Sequence, residues 1–319
     1  MTFRSIRSDF ACLVVSAVLV SCSGPAGTET ATAFAPAARA IVGSHLLPDA
    51  KMQPSLLYVS SILTNEVYVY SYPGGKAEGT LTGFDDPYGL CGDAAGDVWI
   101  VDDGAKEIVE YAHGGTKPIA TLEDPGEYPE GCSVDPVTGN LAVTNFYATS
   151  GAGSVSIYAR ASGSPKVISD PQFQEYRFCG YDNKGDLYVG GVTSSATFVF
   201  AELLRGKNAF LTIKLKQSIE WPGGVSFDGT DIAVGDTDAS KVYLTSGKKG
   251  KIVGTVTLND ANYVNQFWIV PATKGKANAV LVAPSQDGDV VGFYAYPAGN
   301  APEKQITVDE PFGATVSTI

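Results

Sequence analysis

Apolar and polar residues alternate in short bursts along most of the chain, and the bursts recur at regular intervals. Six of them have a period of two: Val67-Tyr68-Val69-Tyr70, Ile108-Val109-Glu110-Tyr111, Val155-Ser156-Ile157-Tyr158, Phe198-Val199-Phe200, Val242-Tyr243-Leu244 and Val290-Val291-Gly292-Phe293-Tyr294. This pattern predicts antiparallel β-strands. A more uniformly apolar strand precedes each of them, often after a tight turn. Gly96-Asp97 leads into Val98-Trp99-Ile100-Val101, Gly139-Asn140 into Leu141-Ala142-Val143, and Gly185-Asp186 into Leu187-Tyr188-Val189. Gly-Asp and Gly-Asn supply the positive φ angles that hairpin turns need. A more polar strand follows, as in Ile119-Ala120-Thr121-Leu122 or Ile252-Val253-Gly254-Thr255-Val256.

A further element heads each unit. Gly89, Gly131, Phe178 and Gly224 are each followed four residues later by an aspartate: Asp93, Asp135, Asp182 and Asp228. These aspartates are 42, 47 and 46 residues apart, and weaker copies begin at Phe267 and Gly313. Four short strands in a repeat of about 45 residues define a propeller blade. The first repeat strand, Leu56-Leu57-Tyr58-Val59, has the character of a second strand, and the last, Gly313 to Ile319, that of a first strand. The two complete one blade. The expected fold is therefore all-β: a six-bladed propeller over residues 51–319, its ring closed by the C-terminal strand and its edges thereby removed. The repeated aspartates follow the symmetry and sit beside turns, so they are expected to be structural.

Composition agrees: 44% hydrophobic and 18% charged residues, with 36 Gly and 16 Tyr, suit a folded β protein. A formal charge of −12 would repel nucleic acid. The N-terminus is different in kind. Arg4 and Arg7 precede an apolar run from Phe10 to Val20, the length of a signal-peptide core. Leu19-Val20-Ser21-Cys22 resembles a bacterial lipobox, which implies a signal over 1–21 and a lipid on Cys22; an ordinary secretory signal cut near Ala26 is the alternative. Residues 22–50, rich in Ala, Gly, Thr and Pro, are read as a flexible tether. The expectation is an exported, membrane-anchored monomer of the bacterial cell envelope.

Pro87-Tyr88-Gly89 running to Asp93, Pro129-Glu130-Gly131 running to Asp135, and Pro222-Gly223-Gly224 running to Asp228 resemble the six-bladed propellers of the NHL, SMP-30/gluconolactonase and strictosidine-synthase-like group. The resemblance implies that the residues before the first strands and after the second strands face one end of a central channel. Here these are Tyr88, Glu130, Arg177, Gly223, Gln266 and Phe312, and Ser61, Asp102, Asn145, Gly191, Asp236 and Pro284. Tyr88, Asp102, Glu130, Asn145, Arg177, Asp236 and Gln266 are the candidate ligand-binding residues. The resemblance also implies a Ca²⁺ site of Glu130, Asn145 and Asp236, although the acidic residue that opens the first blade in such relatives has no counterpart.

The two histidines, His45 and His113, fall in the tether and in an outer hairpin, which leaves no centre for His-based catalysis or zinc. Cys91, Cys132 and Cys179 are expected as buried free thiols, with a Cys132–Cys179 disulfide the alternative. Trp99, Trp221 and Trp268 are read as core. The function expected is a binding scaffold for a protein or saccharide; a calcium-dependent, gluconolactonase-like hydrolase is the alternative.

Overall fold

The computed structural model describes residues 43–246, 249–272 and 279–319. The signal, the lipobox with Cys22 and most of the tether lie outside the described residues. Six antiparallel sheets follow the repeat. Blade 2 contains β5 (Pro87–Gly92), β6 (Val98–Asp102), β7 (Glu107–Tyr111) and β8 (Pro118–Glu123). Blade 3 contains β9 (Glu127–Val134), β10 (Leu141–Ala148), β11 (Gly151–Tyr158) and β12 (Lys166–Ile168). Blade 4 contains β13 (Glu175–Tyr181), β14 (Leu187–Val192), β15 (Phe198–Leu203) and β16 (Leu211–Thr212). Blade 5 contains β17 (Pro222–Phe227), β18 (Ile232–Asp236), β19 (Lys241–Thr245) and β20 (Ile252–Thr257). Blade 6 contains β21 (Trp268–Val270), β22 (Ala279–Ser285), β23 (Val290–Tyr296) and β24 (Lys304–Thr307).

Blade 1 is shared between the chain ends. Its inner strand is β25 (Pro311–Thr318), paired with β2 (Ser55–Ser61), followed by β3 (Glu66–Ser71) and β4 (Ala77–Leu81). Leu57 stands opposite Val316 and Val59 opposite Ala314, so the ring closes as the repeat implies. A short outer strand, β1 (His45–Leu46), pairs with β4 from within the stretch read as tether.

The core explains why the second strands are apolar on both faces. Leu56 and Tyr58 pack toward blade 2, whereas Leu57 and Val59 pack toward blade 6. Val98 and Ile100 face blade 1, and Trp99 and Val101 face blade 3. Each sheet is thus sandwiched between two neighbours, and each fully buried side chain contributes roughly 1.5–3 kcal/mol.

In five blades the pairing of the first strand with the second is interrupted by a β-bulge at the head of the first strand. The shifts fall between Pro87 and Leu90, at Glu130, at Arg177, between Pro222 and Val225, and at Phe312–Gly313. A bulge adds one unpaired residue and re-aims its side chain. Tyr88, Glu130, Arg177, Gly223 and Phe312, expected just before the first strands, are therefore inside them, at the bulges; Gln266 lies just before β21, as expected.

Candidate functional site

The end of the channel where the inner strands begin is here called the head end, and the opposite end the foot. At the head end the candidate residues are largely bonded to one another. Arg177 Nη2 lies 2.9 Å from Glu130 Oε1, and its Nη1 lies 3.8 Å from Glu175 Oε2. Its guanidinium stacks over Phe146, 4.5 Å from the ring centre, with Trp221 at 5.5 Å. Tyr147 donates to Glu175 Oε1 at 2.7 Å. Tyr88 stacks on Phe312 at 4.5 Å. Gln266 reaches across the channel to β5: its Oε1 accepts from Leu90 N at 2.9 Å, and its Nε2 donates to Leu90 O at 2.8 Å.

The remaining candidates close their own loops. Asp102 Oδ1 accepts from Asp85 N at 2.9 Å. Asp236 accepts from Glu220 N and Trp221 N. Asn145 Nδ2 donates to Ser154 and Ser156, and Ser156 in turn donates to Asp124. Ser61 donates to Asp309 O, and Pro284 is buried in β22. At Gly191 a Cβ would lie 2.0 Å from Glu175 O, so the close approach of β13 requires glycine. Glu130, Asn145 and Asp236 each bond separate protein partners, while Glu130 Oε2 and Asn145 Oδ1 find none among the described residues.

Burial pushes the Glu130 carboxyl up; Arg177 opposes the shift, and Glu175 and Asp103 add to it. Burial also raises Asp102 to about 7, despite its backbone donors, and Tyr88 to about 12. Two acidic groups flank the mouth. Asp103 is raised by burial, eased by Lys106, and raised further by Asp86 and Asp85. Across the mouth, Asp238 is raised by burial and by Asp236, Glu220 and Asp287.

Several residues in this network carried no signal in the sequence. Glu175, Phe146, Tyr147, Thr237, Tyr263 and Asn265 lie outside the repeat positions at the heads of the first strands and the ends of the second. Trp221 is half-buried beside Arg177 rather than in the core, and Trp268 is also only partly buried; Trp99 alone is fully enclosed. Tyr263 adopts φ +59°, an uncommon backbone for a bulky residue. Eight polar atoms here find no hydrogen-bond partner among the described residues: Asp124 Oδ2, Glu130 Oε2, Asn145 Oδ1, Glu175 Oε2, Arg177 Nε, Trp221 Nε1, Thr237 Oγ1 and Asn265 Oδ1.

The foot end obeys the repeat. Asp93 Oδ1 accepts from Ala95 N and Asp97 N, and Asp182 Oδ1 from Lys184 N and Asp186 N. Asp135 accepts from Val137 N, and Asp228 from Thr230 N and Asp231 N. A cavity of about 370 Å³ opens here, lined in part by Cys91, Cys132, Cys179, Tyr181, Phe227 and Trp268. The expectation of three free thiols fails: Cys91 and Cys132 form a disulfide with a Cα separation of 5.7 Å. Adjacent inner strands converge at the channel and are staggered by one residue. Cys91 pairs with Trp99, and Cys132 Sγ approaches Trp99 O at 3.9 Å. Ser133 pairs with Ala142, and Cys179 Sγ approaches Ala142 O at 4.0 Å. Ser133 thus stands to Cys179 as Cys91 stands to Cys132. Burial raises the free Cys179 thiol to about 12, which keeps it protonated and unreactive.

His113 is in an outer hairpin, as expected, and bonds Ser317 and Gln53 O, tying blade 2 to the closing strand. On the same blade Asp93, Asp97 and Glu110 bring carboxylate oxygens within 4.8 Å of one another. Burial, with Asp97 and Asp93 adding, pushes Glu110 up to about 7.

The architecture is that of a six-bladed β-propeller. A chain from the solved structure described as "Crystal structure of Nidogen/Laminin Complex" is similar, with a TM-score of 0.68 at 13% identity, covering 82% of this chain and 98% of that one. At that identity the likeness speaks for the fold alone. No family model and no curated protein matches the sequence.

Proposed function

We propose that the protein is an exported, lipid-tethered recognition domain of the cell envelope, which binds a partner at the head end of its propeller without transforming it. One observation carries this reading. The buried charged side chains at the mouth are each anchored to one another or to backbone groups through at least one atom, and the mouth is walled by the Tyr88–Phe312 stack, the Glu130–Arg177 pair and Gln266. Such a surface is rigid and preorganised, which favours binding. The Cys91–Cys132 disulfide supports export, since such bonds persist in oxidising compartments. The lipid anchor rests on the Cys22 lipobox, and the kinship with NHL and SMP-30 propellers on the Pro-x-Gly motifs. The competing calcium-dependent hydrolase would have to gather Glu130, Asn145 and Asp236, which bond separate partners, around one ion. Thermal unfolding with and without millimolar calcium separates the two. The expected result is no shift; a rise of several degrees, together with hydrolysis of a sugar lactone, would replace recognition with catalysis.

A further inference from the structure

We infer that the head end docks a cationic polypeptide segment, one presenting Lys or Arg side chains with its main chain laid across the mouth. The inference rests on the recognition reading above and names its class of partner. Three independent features meet here.

The first is charge. Acidic residues outnumber bases in the loops at this end, whereas the foot-end loops carry about as many bases as acids. Asp86 and Asp103 stand on one side of the mouth, Asp238 and Asp287 on the other, and none of the four is buried. Two nearby cations are already engaged. Arg177 holds Glu130 and Glu175, and Lys106 lies 3.4 Å from Asp103 and over the Tyr128 ring. A concave surface lined by one sign of charge attracts the opposite sign.

The second is the set of orphaned polar atoms. Glu130, Thr237 and Asn265 are at most 1% exposed and Arg177 is 8% exposed, yet each has an atom without a hydrogen-bond partner among the described residues. Buried polar atoms left this way carry a cost of about 1–3 kcal/mol each unless something binds them. The set is mixed. Arg177 Nε and Trp221 Nε1 can only donate, and Asn265 Oδ1 can only accept. A peptide supplies carbonyl oxygens to the donors, and N–H groups or an ammonium to the acceptors. A bare metal ion cannot serve the donors, and an anionic ligand would be repelled by the rim.

The third is the aromatic surround. Trp221, Tyr88 and Tyr263 are half-exposed around this same mouth, and their faces favour alkylammonium and guanidinium groups. Arg177, held against Phe146 and Trp221 between two carboxylates, already shows how a cation sits among these groups. The left-handed Tyr263 backbone marks a strained loop of the sort found at ligand clamps.

The test uses the mature chain and a fluorescent library of short peptides carrying spaced Lys and Arg, read by anisotropy at low and physiological salt. Expected is salt-sensitive binding that falls about tenfold in the Asp238→Asn/Asp287→Asn variant and in Trp221→Ala, but not in a foot-end control, Asp186→Asn/Asp231→Asn. Equal losses in the head-end and foot-end pairs would reduce the effect to generic charge and overturn the inference. So would a library in which nothing binds. Trp221-dependent retention on a neutral oligosaccharide array instead would keep the recognition reading and discard the cationic peptide. A calcium-dependent rise in melting temperature with lactone hydrolysis would remove the recognition reading itself. Unchanged melting of each variant rules out misfolding as the cause of lost binding.

Discussion

The two ends of the channel are lined by the same inner strands but are built on opposite plans. At the foot, each of the four repeated aspartates accepts the backbone N–H groups of its own turn, blade after blade. At the head the bulge positions differ from blade to blade. One bulge presents Glu130, the next Arg177 and the third glycine, and Phe312 meets Tyr88 across a blade boundary. The foot leaves a free thiol unreactive and its turn carboxylates satisfied. The head buries an ion pair and leaves polar atoms unserved. Repetition marks what the fold requires of every blade. Departures from it mark where this chain has a task of its own, and natural sequences break local rules mainly at such places.

This contrast can be broken first at the head. Arg177→Met leaves the Glu130 carboxyl in a dry site without its cation, and it should cost about 3–5 kcal/mol. Denaturant unfolding reads the loss, and a loss that deepens as pH rises past neutral, where the carboxyl would have to ionise without its cation, would assign it to Glu130. At the foot, Cys91→Ser removes a staple that closes a 41-residue separation and should cost about 2–4 kcal/mol. The stagger of the inner strands makes a sharper claim there. Ser133→Cys should oxidise with Cys179, giving a second cross-link that non-reducing peptide mapping would detect. If Cys179 remains free in that variant, the one-residue stagger is not general.

The smallest effect concerns Glu110 at the foot. Its carboxyl is raised from 4.5 to about 7 by burial and by Asp97 and Asp93. A raised acid contributes stability that is complete below pH 4.5 and lost as pH climbs through 7. Glu110→Gln should therefore flatten the decline of melting temperature across that window. An identical decline in the variant would place its origin elsewhere, Asp102 being the next candidate.

The sequence made the foot far more legible than the head. Period-two strands, Gly-Asp turns and the recurring aspartates are local signals, and each blade repeats them, so the count of six and the closure by β25 follow from the pattern alone. The head depends on features with no local signature. A β-bulge moves Glu130 and Arg177 from the approach to the strand into the strand itself, and nothing in Pro-Glu-Gly announces it. Trp221 reads as core because an isolated tryptophan beside an apolar strand usually is. Glu175 and Asn265 belong to no repeat position and matter only through what they touch. The Cys91–Cys132 bond escaped for a related reason: alternation along one strand says nothing of the stagger between neighbouring blades.

The central claim is that the head-end network serves recognition while the foot-end aspartates serve stability. The most direct measurement compares the unfolding free energy of Glu130→Leu/Arg177→Met with that of Asp182→Ala. Replacing a buried ion pair with apolar groups of similar size should leave the protein unchanged or more stable, by up to a few kcal/mol. Removing the Asp182 carboxylate, which holds two backbone N–H groups, should cost about 2 kcal/mol. A head-end double variant that loses several kcal/mol, beside an Asp182→Ala variant that loses nothing, would contradict the claim.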